Sequence, residues 1–256
     1  MQDTREPDWA SLLDSWDEQQ DSCIPNRQAK FEAMLAVLEA YVPSSFKALD
    51  LGSGPGSLSL RLLRKFPRAA VVAVDFDPVL LMIGQGALRH YGKRIRWVDA
   101  DIGAVGWRSH LPSGKFDVVV SSTAIHWMDK ERLRRLYNDL ARILRKGGVF
   151  LNGDVMPWGR GTERLHEVAE KLRYSRHGTL EVEFAPWHQW WEKVEKEEEE
   201  LAPRFRERKE RFARIPASKG MLPIQNHVRM LKGAGFSEVD TIWQNLLEDR
   251  VLAAIL

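Results

Sequence analysis

The sequence predicts an α/β chain built on a doubly wound sheet, and three observations predict it. Short β-favouring runs alternate with amphipathic helical stretches from Arg27 to Asn152. A glycine-rich turn, LGSGPGS, follows the first such run. The alternation stops after Asp154, gives way to a charged, tryptophan-rich stretch, and resumes near Ile224. Strands that alternate with helices imply right-handed crossovers and parallel pairing.

Each element has its own signal. Phe31, Met34, Leu35, Leu38 and Tyr41 fall at helical steps over Arg27 to Val42, and Pro43 ends that helix. Phe46 to Leu51 is a short apolar strand leading into the glycine turn. A helix begins near Ser57 and carries Leu58, Leu60, Leu62 and Leu63. Ala70 to Val74 is a continuous β-favouring run, as a strand buried on both faces requires. Pro78 to Tyr91 reads as helix, Arg94 to Val98 as a strand closing in DADI, and Phe116 to Val120 as a strand running into SSTAIHW. Asp129 caps the next helix, with Leu133, Leu136, Tyr137, Leu140 and Leu144 on one face; Gly147 and Gly148 are expected to stop it. Val149 to Asn152 is a fifth strand. IQNHVRMLKGAGF gives a last helix, and SEVDTIWQNL and DRVLAAIL two closing strands.

The boundaries are therefore expected at 1–154, 155–223 and 224–256: a core preceded by an N-terminal segment, a helical insertion, and the C-terminal part of the core. Within the insertion, EKVEKEEEELAPRFRERKERFAR is expected to form a solvated helical face.

Bulk composition narrows the function classes. A chain of 256 residues, 44% hydrophobic and 29% charged, has length for one substantial core. A net charge of +2 carries no nucleic-acid footprint and no polybasic membrane patch. Cys23 is the only cysteine, so an intrachain disulfide and a cysteine-based zinc site are both excluded, and a reducing, cytoplasmic location is expected. The start, MQDTREPDWASLL, is unlike a secretory signal, and no run approaches a membrane-spanning length.

The glycine turn brings backbone close to a ligand. Gly52, Gly54 and Gly56 are spaced G-x-G-x-G, whereas the dinucleotide pattern wants its third glycine where Ser57 stands. Asp50 sits near the end of the first strand. Asp75 ends the second, about twenty residues beyond the turn, where a carboxylate accepts from ribose hydroxyls. Asp101 and Ile102 follow the third strand and offer a polar and an apolar group side by side, as an adenine edge and face require.

With LDLGSGPG, VDFDP, ADI, FDVVVSSTAIHW and RILRKGGVF in place, the sequence resembles the class I S-adenosylmethionine-dependent methyltransferases. The match runs from about Arg27 to Asn152 and resumes from Ile224, and its flavour is similar to the small-molecule, trans-aconitate methyltransferase-like group. The resemblance implies a Rossmann-like sheet of seven strands, mostly parallel with an antiparallel last strand, and an insertion that acts as a lid. It implies S-adenosylmethionine as cofactor and roles for the matching positions. Gly52, Gly54 and Gly56 would let the methionine part lie against the backbone, with Asp50 orienting the loop or the ligand amine. Asp75 would hold the ribose, with Phe76 beside the adenine. Asp101 would accept from the adenine amino group under cover of Ile102, and Ser121 would offer its carbonyl to the methionine amine. Arg27 would pair with the methionine carboxylate or form a surface salt bridge.

Methyl transfer needs alignment above all, and a base only where the acceptor must lose a proton. His126 is the candidate base, or else a residue that shapes the pocket. Trp16, Gln20, Trp127 and Trp158 are candidates for the acceptor pocket, with plain packing as the alternative for the tryptophans. No carboxylate cluster accompanies Ser121 to Met128, so metal-independent action on a small molecule is expected. Nucleic-acid and membrane partners are not expected, and the assembly is expected to be a monomer or a homodimer. Two other readings stay open: a cofactor-binding module without catalysis, and a nicotinamide-dependent oxidoreductase.

Overall fold

The computed structural model describes residues 6–215, 220–246 and 248–256. Five parallel strands form most of the sheet: β1 (Lys47–Leu51), β2 (Ala70–Asp75), β3 (Ile95–Asp99), β4 (Phe116–Ser122) and β5 (Leu144–Val155). β6 (Glu238–Gln244) and β7 (Asp249–Ile255) complete it, in the order β3-β2-β1-β4-β5-β7-β6. β7 runs antiparallel to both of its neighbours. The reversal of strand order beside β1 opens a crevice at the carboxyl ends of β1 and β4, the switch point at which open α/β sheets bind ligands.

The unbroken apolar runs are explained by burial on both faces. Ala48, Val71 and Ala73 join the cluster under the first helices, whereas Leu49, Leu51, Val72 and Val74 join the opposite one. The first cluster includes buried residues of α1 (Trp9–Cys23), α2 (Arg27–Tyr41), α3 (Ser57–Lys65) and α4 (Pro78–Ala87). The second includes those of α5 (Lys130–Ile143) and α9 (Ile224–Ala234).

Between β5 and α9 lie three helices, α6 (Glu163–His177), α7 (Leu180–Glu197) and α8 (Ala202–Phe212). α6 buries only Ala169. α7 and α8 return to the core: Trp190, Trp191, Val194 and Phe205 join the first cluster. Trp190 and Trp191 meet Trp16 of α1 edge-on at 5.0 and 5.8 Å, and the Trp190 indole donates to Ser15 at 3.0 Å. Edge-to-face aromatic pairs are favoured at such distances.

Three local expectations change. α5 ends at Ile143, and Leu144 opens β5 opposite Phe116, with a register shift before Val118. Gly147 and Gly148 thus lie inside a long irregular strand, not in a helix stop; the Gly147 N–H is taken by the Leu256 carbonyl at 2.7 Å. α4 stops at Ala87, and a tighter turn, Arg89–Arg94, follows it. The charged face of α8 is also less solvated than its composition suggests, because Arg208 and Arg211 turn inward to strand-end carboxylates.

Candidate active site

The glycine turn is held by the tip of β2. Gly52 and Ser53 donate to the Val74 carbonyl at 2.9 and 3.0 Å, and Gly54 donates to Asp75 Oδ2 at 2.7 Å. Gly52 and Gly54 take φ of +64° and +55°, a left-handed backbone that side chains disfavour. At Gly52 a Cβ would also stand 2.3 Å from that of Ala124. At Gly54 it would meet nothing closer than 3.9 Å, with Leu80 and Trp16 bounding the space. The turn is therefore a cradle in ordinary van der Waals contact with the α1 tryptophan above it.

Asp75 lies at the lip of that cradle, half-buried. Its other oxygen accepts from Phe76 and Asp77 N–H groups at 2.7 and 2.8 Å. Burial first, with the charge of Asp77 adding, pushes its pKa up to about 6 against these donors. Asp50 lies behind the turn, fully buried, and accepts from Ser59 at 2.7 Å. That bond ties β1 to α3, so Asp50 orients the loop. Burial, with Asp75 nearby, raises its pKa to about 7.

Beyond Asp75, a cavity of about 240 Å³ is lined by Phe76, Asp101, Arg132, Arg211, Arg214 and Ile215. Arg132 bridges both oxygens of Asp101 at 3.0 and 2.8 Å, and Gly103 donates to the same carboxylate at 2.8 Å. Ile102 is half-buried beside it. Arg211 of α8 forks onto Asp99 at 2.6 and 2.7 Å, donates to the Phe76 carbonyl at 2.9 Å and lies 5.4 Å from the Phe76 ring centre. Phe212 meets the same ring at 5.6 Å. One turn earlier, Arg208 pairs with Asp77 at 2.6 Å.

At the end of β4, Ser121 is buried and donates its hydroxyl to the Leu51 carbonyl at 3.0 Å. His126 follows it, 9% exposed, with Nδ1 2.7 Å from Asp154 Oδ1 at the end of β5. Burial works to raise the Asp154 pKa, yet His126 and Lys30 outweigh it and hold the carboxyl below its usual range. An ionised Asp154 only accepts, so Nδ1 donates, and in the neutral ring Nε2 is the acceptor. Asn152, two residues before Asp154 on the same strand, is fully buried with both amide atoms unpartnered. Beneath the dyad, Lys30 and Asp249 form a wholly buried pair at 2.7 Å.

The structure thus brings together Asp50, Gly52, Gly54, Gly56, Asp75 and Trp16, and groups Phe76 with Asp101 and Ile102. It does not leave Arg27 free. That guanidinium is buried and held by Asp17 and Asp21 at 2.7 and 2.8 Å, over the Phe31 ring. Gln20 is half-buried, and Trp127 is 65% exposed against His126. Trp158 lies under Arg250, which pairs with Asp154 across the β5–β7 ladder.

Sequence reasoning missed Asp154, Arg132, Arg208, Arg211 and Arg250. The signal for Asp154 was available, because Asn152 and Asp154 interrupt an apolar strand at its ligand-facing end. Phe205 and Phe212, one heptad apart, mark the inward face of α8 between which Arg208 and Arg211 lie.

Comparison with known proteins fits this geometry. Residues 48–148 match the family model described as "Methyltransferase domain". A magnesium protoporphyrin IX methyltransferase from Synechocystis, solved with SAH bound, superposes with a TM-score of 0.58 at 15% identity, over 96% of this chain and 94% of that one. A second structure, a putative O-methyltransferase from Nostoc punctiforme, superposes over the whole chain (TM-score 0.61, 14% identity, 100% and 62% coverage). Among curated relatives, an uncharacterized methyltransferase of Mycobacterium tuberculosis is 40% identical over 116 residues, 45% of this chain and 54% of its own. A trans-aconitate 2-methyltransferase of an Azoarcus species is 29% identical over 140 residues, 54% and 50% of the two chains. The matched stretches therefore span about half the length of these curated relatives. Among the described residues no helix is long and apolar enough to cross a membrane.

Proposed function

We propose that this chain transfers a methyl group from S-adenosylmethionine to a small-molecule acceptor by in-line displacement, without a metal. The observation that carries the reading is the left-handed glycine turn whose Gly54 N–H is held by the Asp75 carboxylate at the tip of β2. A ligand carrying a sugar hydroxyl fits beside that carboxylate, since Asp75 Oδ2 keeps a lone pair beyond its bond to Gly54. The adenine goes to the cavity lined by Phe76 and Asp101, where Asp101 keeps accepting capacity beyond its bonds to Arg132 and Gly103. Ser121 presents main chain to the methionine end, and Trp16 closes the cradle from above.

When bound, the cofactor supplies a methyl carbon activated by a positively charged sulfur. The protein's part is alignment, exclusion of water and proton handling. Holding the acceptor in line contributes up to about 7–11 kcal/mol in favourable cases. His126 Nε2 takes the acceptor's proton, and Asp154 holds the ring in the required tautomer and steadies the charge that forms on it. The trans-aconitate 2-methyltransferase among the relatives supports a small acceptor. The insertion, residues 155–223, is read as the lid that selects it, because α7 and α8 approach the cradle and the adenine cavity.

The test is incubation of the protein with methyl-labelled cofactor and fractionated extract of the source organism. The reading expects label in a small product that depends on Asp75 and His126. Cofactor binding without label transfer in any fraction would leave a binding module in its place.

A further inference from the structure

The sheet face that carries the His126–Asp154 dyad holds a second polar group that the proposed reaction does not use. Arg250 stands directly opposite Asp154 in the β5–β7 ladder. Such partners lie about 5 Å apart at Cα. Arg250 is 3% exposed. Its Nε donates to the Met156 carbonyl at 2.9 Å, and Nη1 donates to Gln244. Nη2 is buried with no partner. The guanidinium lies 4.5 Å over the ring of Trp158, whose Nε1 is also buried with no partner.

Two desolvated donors in one stacked pair are costly to leave unmade, the charged one more so. The neighbouring carboxylates do not satisfy them. Glu248 accepts from the Trp158 N–H and from His166, both at 2.9 Å, and Asp154 accepts from His126 and the Val155 N–H. Neither donor has a partner among the described residues, and an incoming anion would supply one. A carboxylate suits the pair: one oxygen accepts from a guanidinium N–H, the other from the indole.

We propose that Arg250 Nη2 and Trp158 Nε1 form a subsite for a carboxylate of the methyl acceptor. The inference rests on the methyl-transfer reading for what the subsite serves, since it seats the acceptor beside the base. Two residues of strand, about 7 Å, separate Asp154 from the Met156 carbonyl that anchors Arg250. An acceptor of a few carbons spans from the subsite to the dyad.

Succinate is the probe, titrated calorimetrically into the intact protein with and without saturating S-adenosylhomocysteine, beside succinamide and inorganic phosphate. The expected result is succinate binding, at least tenfold weaker succinamide and phosphate binding, and at least a tenfold loss of succinate affinity in Arg250→Gln. Trp158→Phe keeps the ring and removes only the N–H, so it is expected to lose three- to tenfold while remaining folded. Succinate binding equally to the wild type and Trp158→Phe, succinamide or phosphate binding as well as succinate, or no succinate binding at all would each overturn the subsite. If S-adenosylhomocysteine does not bind but succinate does and Trp158→Phe weakens it, the subsite stands and the cofactor reading falls.

Discussion

His126 and Gly52 show how much single residues decide here. The ionised state of Asp154 fixes the proton of His126 on Nδ1, so nitrogen NMR of the free protein is expected to report an Nδ1–H tautomer. Asp154→Asn should release that preference, and a wild-type histidine protonated on Nε2 would contradict the base assignment. His126→Ala should lower label transfer by about 100-fold or more, in the range of general-base catalysis; unchanged turnover across pH would remove the role. Gly52→Ala places a Cβ in left-handed backbone and against Ala124, and should cost about 2–4 kcal/mol of stability, read from denaturant unfolding. The turn and Asp75 were legible in the sequence because a local backbone requirement selects glycine and because a strand tip follows from its own apolar run. Asp154 and Arg250 were not, since their meaning comes from partners on other strands, and for Arg27 the sequence left a methionine-carboxylate partner and a salt bridge both open because it does not show that Asp17 and Asp21 fold onto it from α1.

At the level of elements, α8 is fastened to the core by two arginines. Arg208 on Asp77 and Arg211 on Asp99 hold it against the ends of β2 and β3. Replacing both by alanine should raise amide exchange across Ala202–Phe212 and weaken cofactor-product binding, with the melting temperature of the sheet little changed. Equal exchange in the double variant would show that Phe205 and Phe212 alone seat the helix. The strands were legible because burial on both faces writes continuous apolar runs. The α5–β5 junction was not: Leu144 continues the helical spacing of Leu133 to Leu140 but is claimed by pairing with Phe116, a tertiary contact that spacing does not encode.

Across the whole molecule, the acids of β1 and β2 sit under a site read as binding a cationic, hydroxyl-bearing ligand. Asp75 must be ionised to accept from a sugar hydroxyl beside its three backbone donors, and its pKa is raised to about 6. Affinity for S-adenosylhomocysteine is therefore expected to be flat above about pH 7 and to fall by up to tenfold per unit below pH 6. In the free protein the same raised pKa works the other way: the contribution of Asp75 to folding stability is present at acid pH and is lost as pH rises through about 6. The measurement that bears most directly on the account is a calorimetric titration of the intact protein at pH 7.5 with S-adenosylhomocysteine and, separately, with NAD. The account predicts one site for S-adenosylhomocysteine, at least tenfold weaker in Asp75→Ala, and no heat from NAD. Saturable NAD binding with no response to S-adenosylhomocysteine would contradict it.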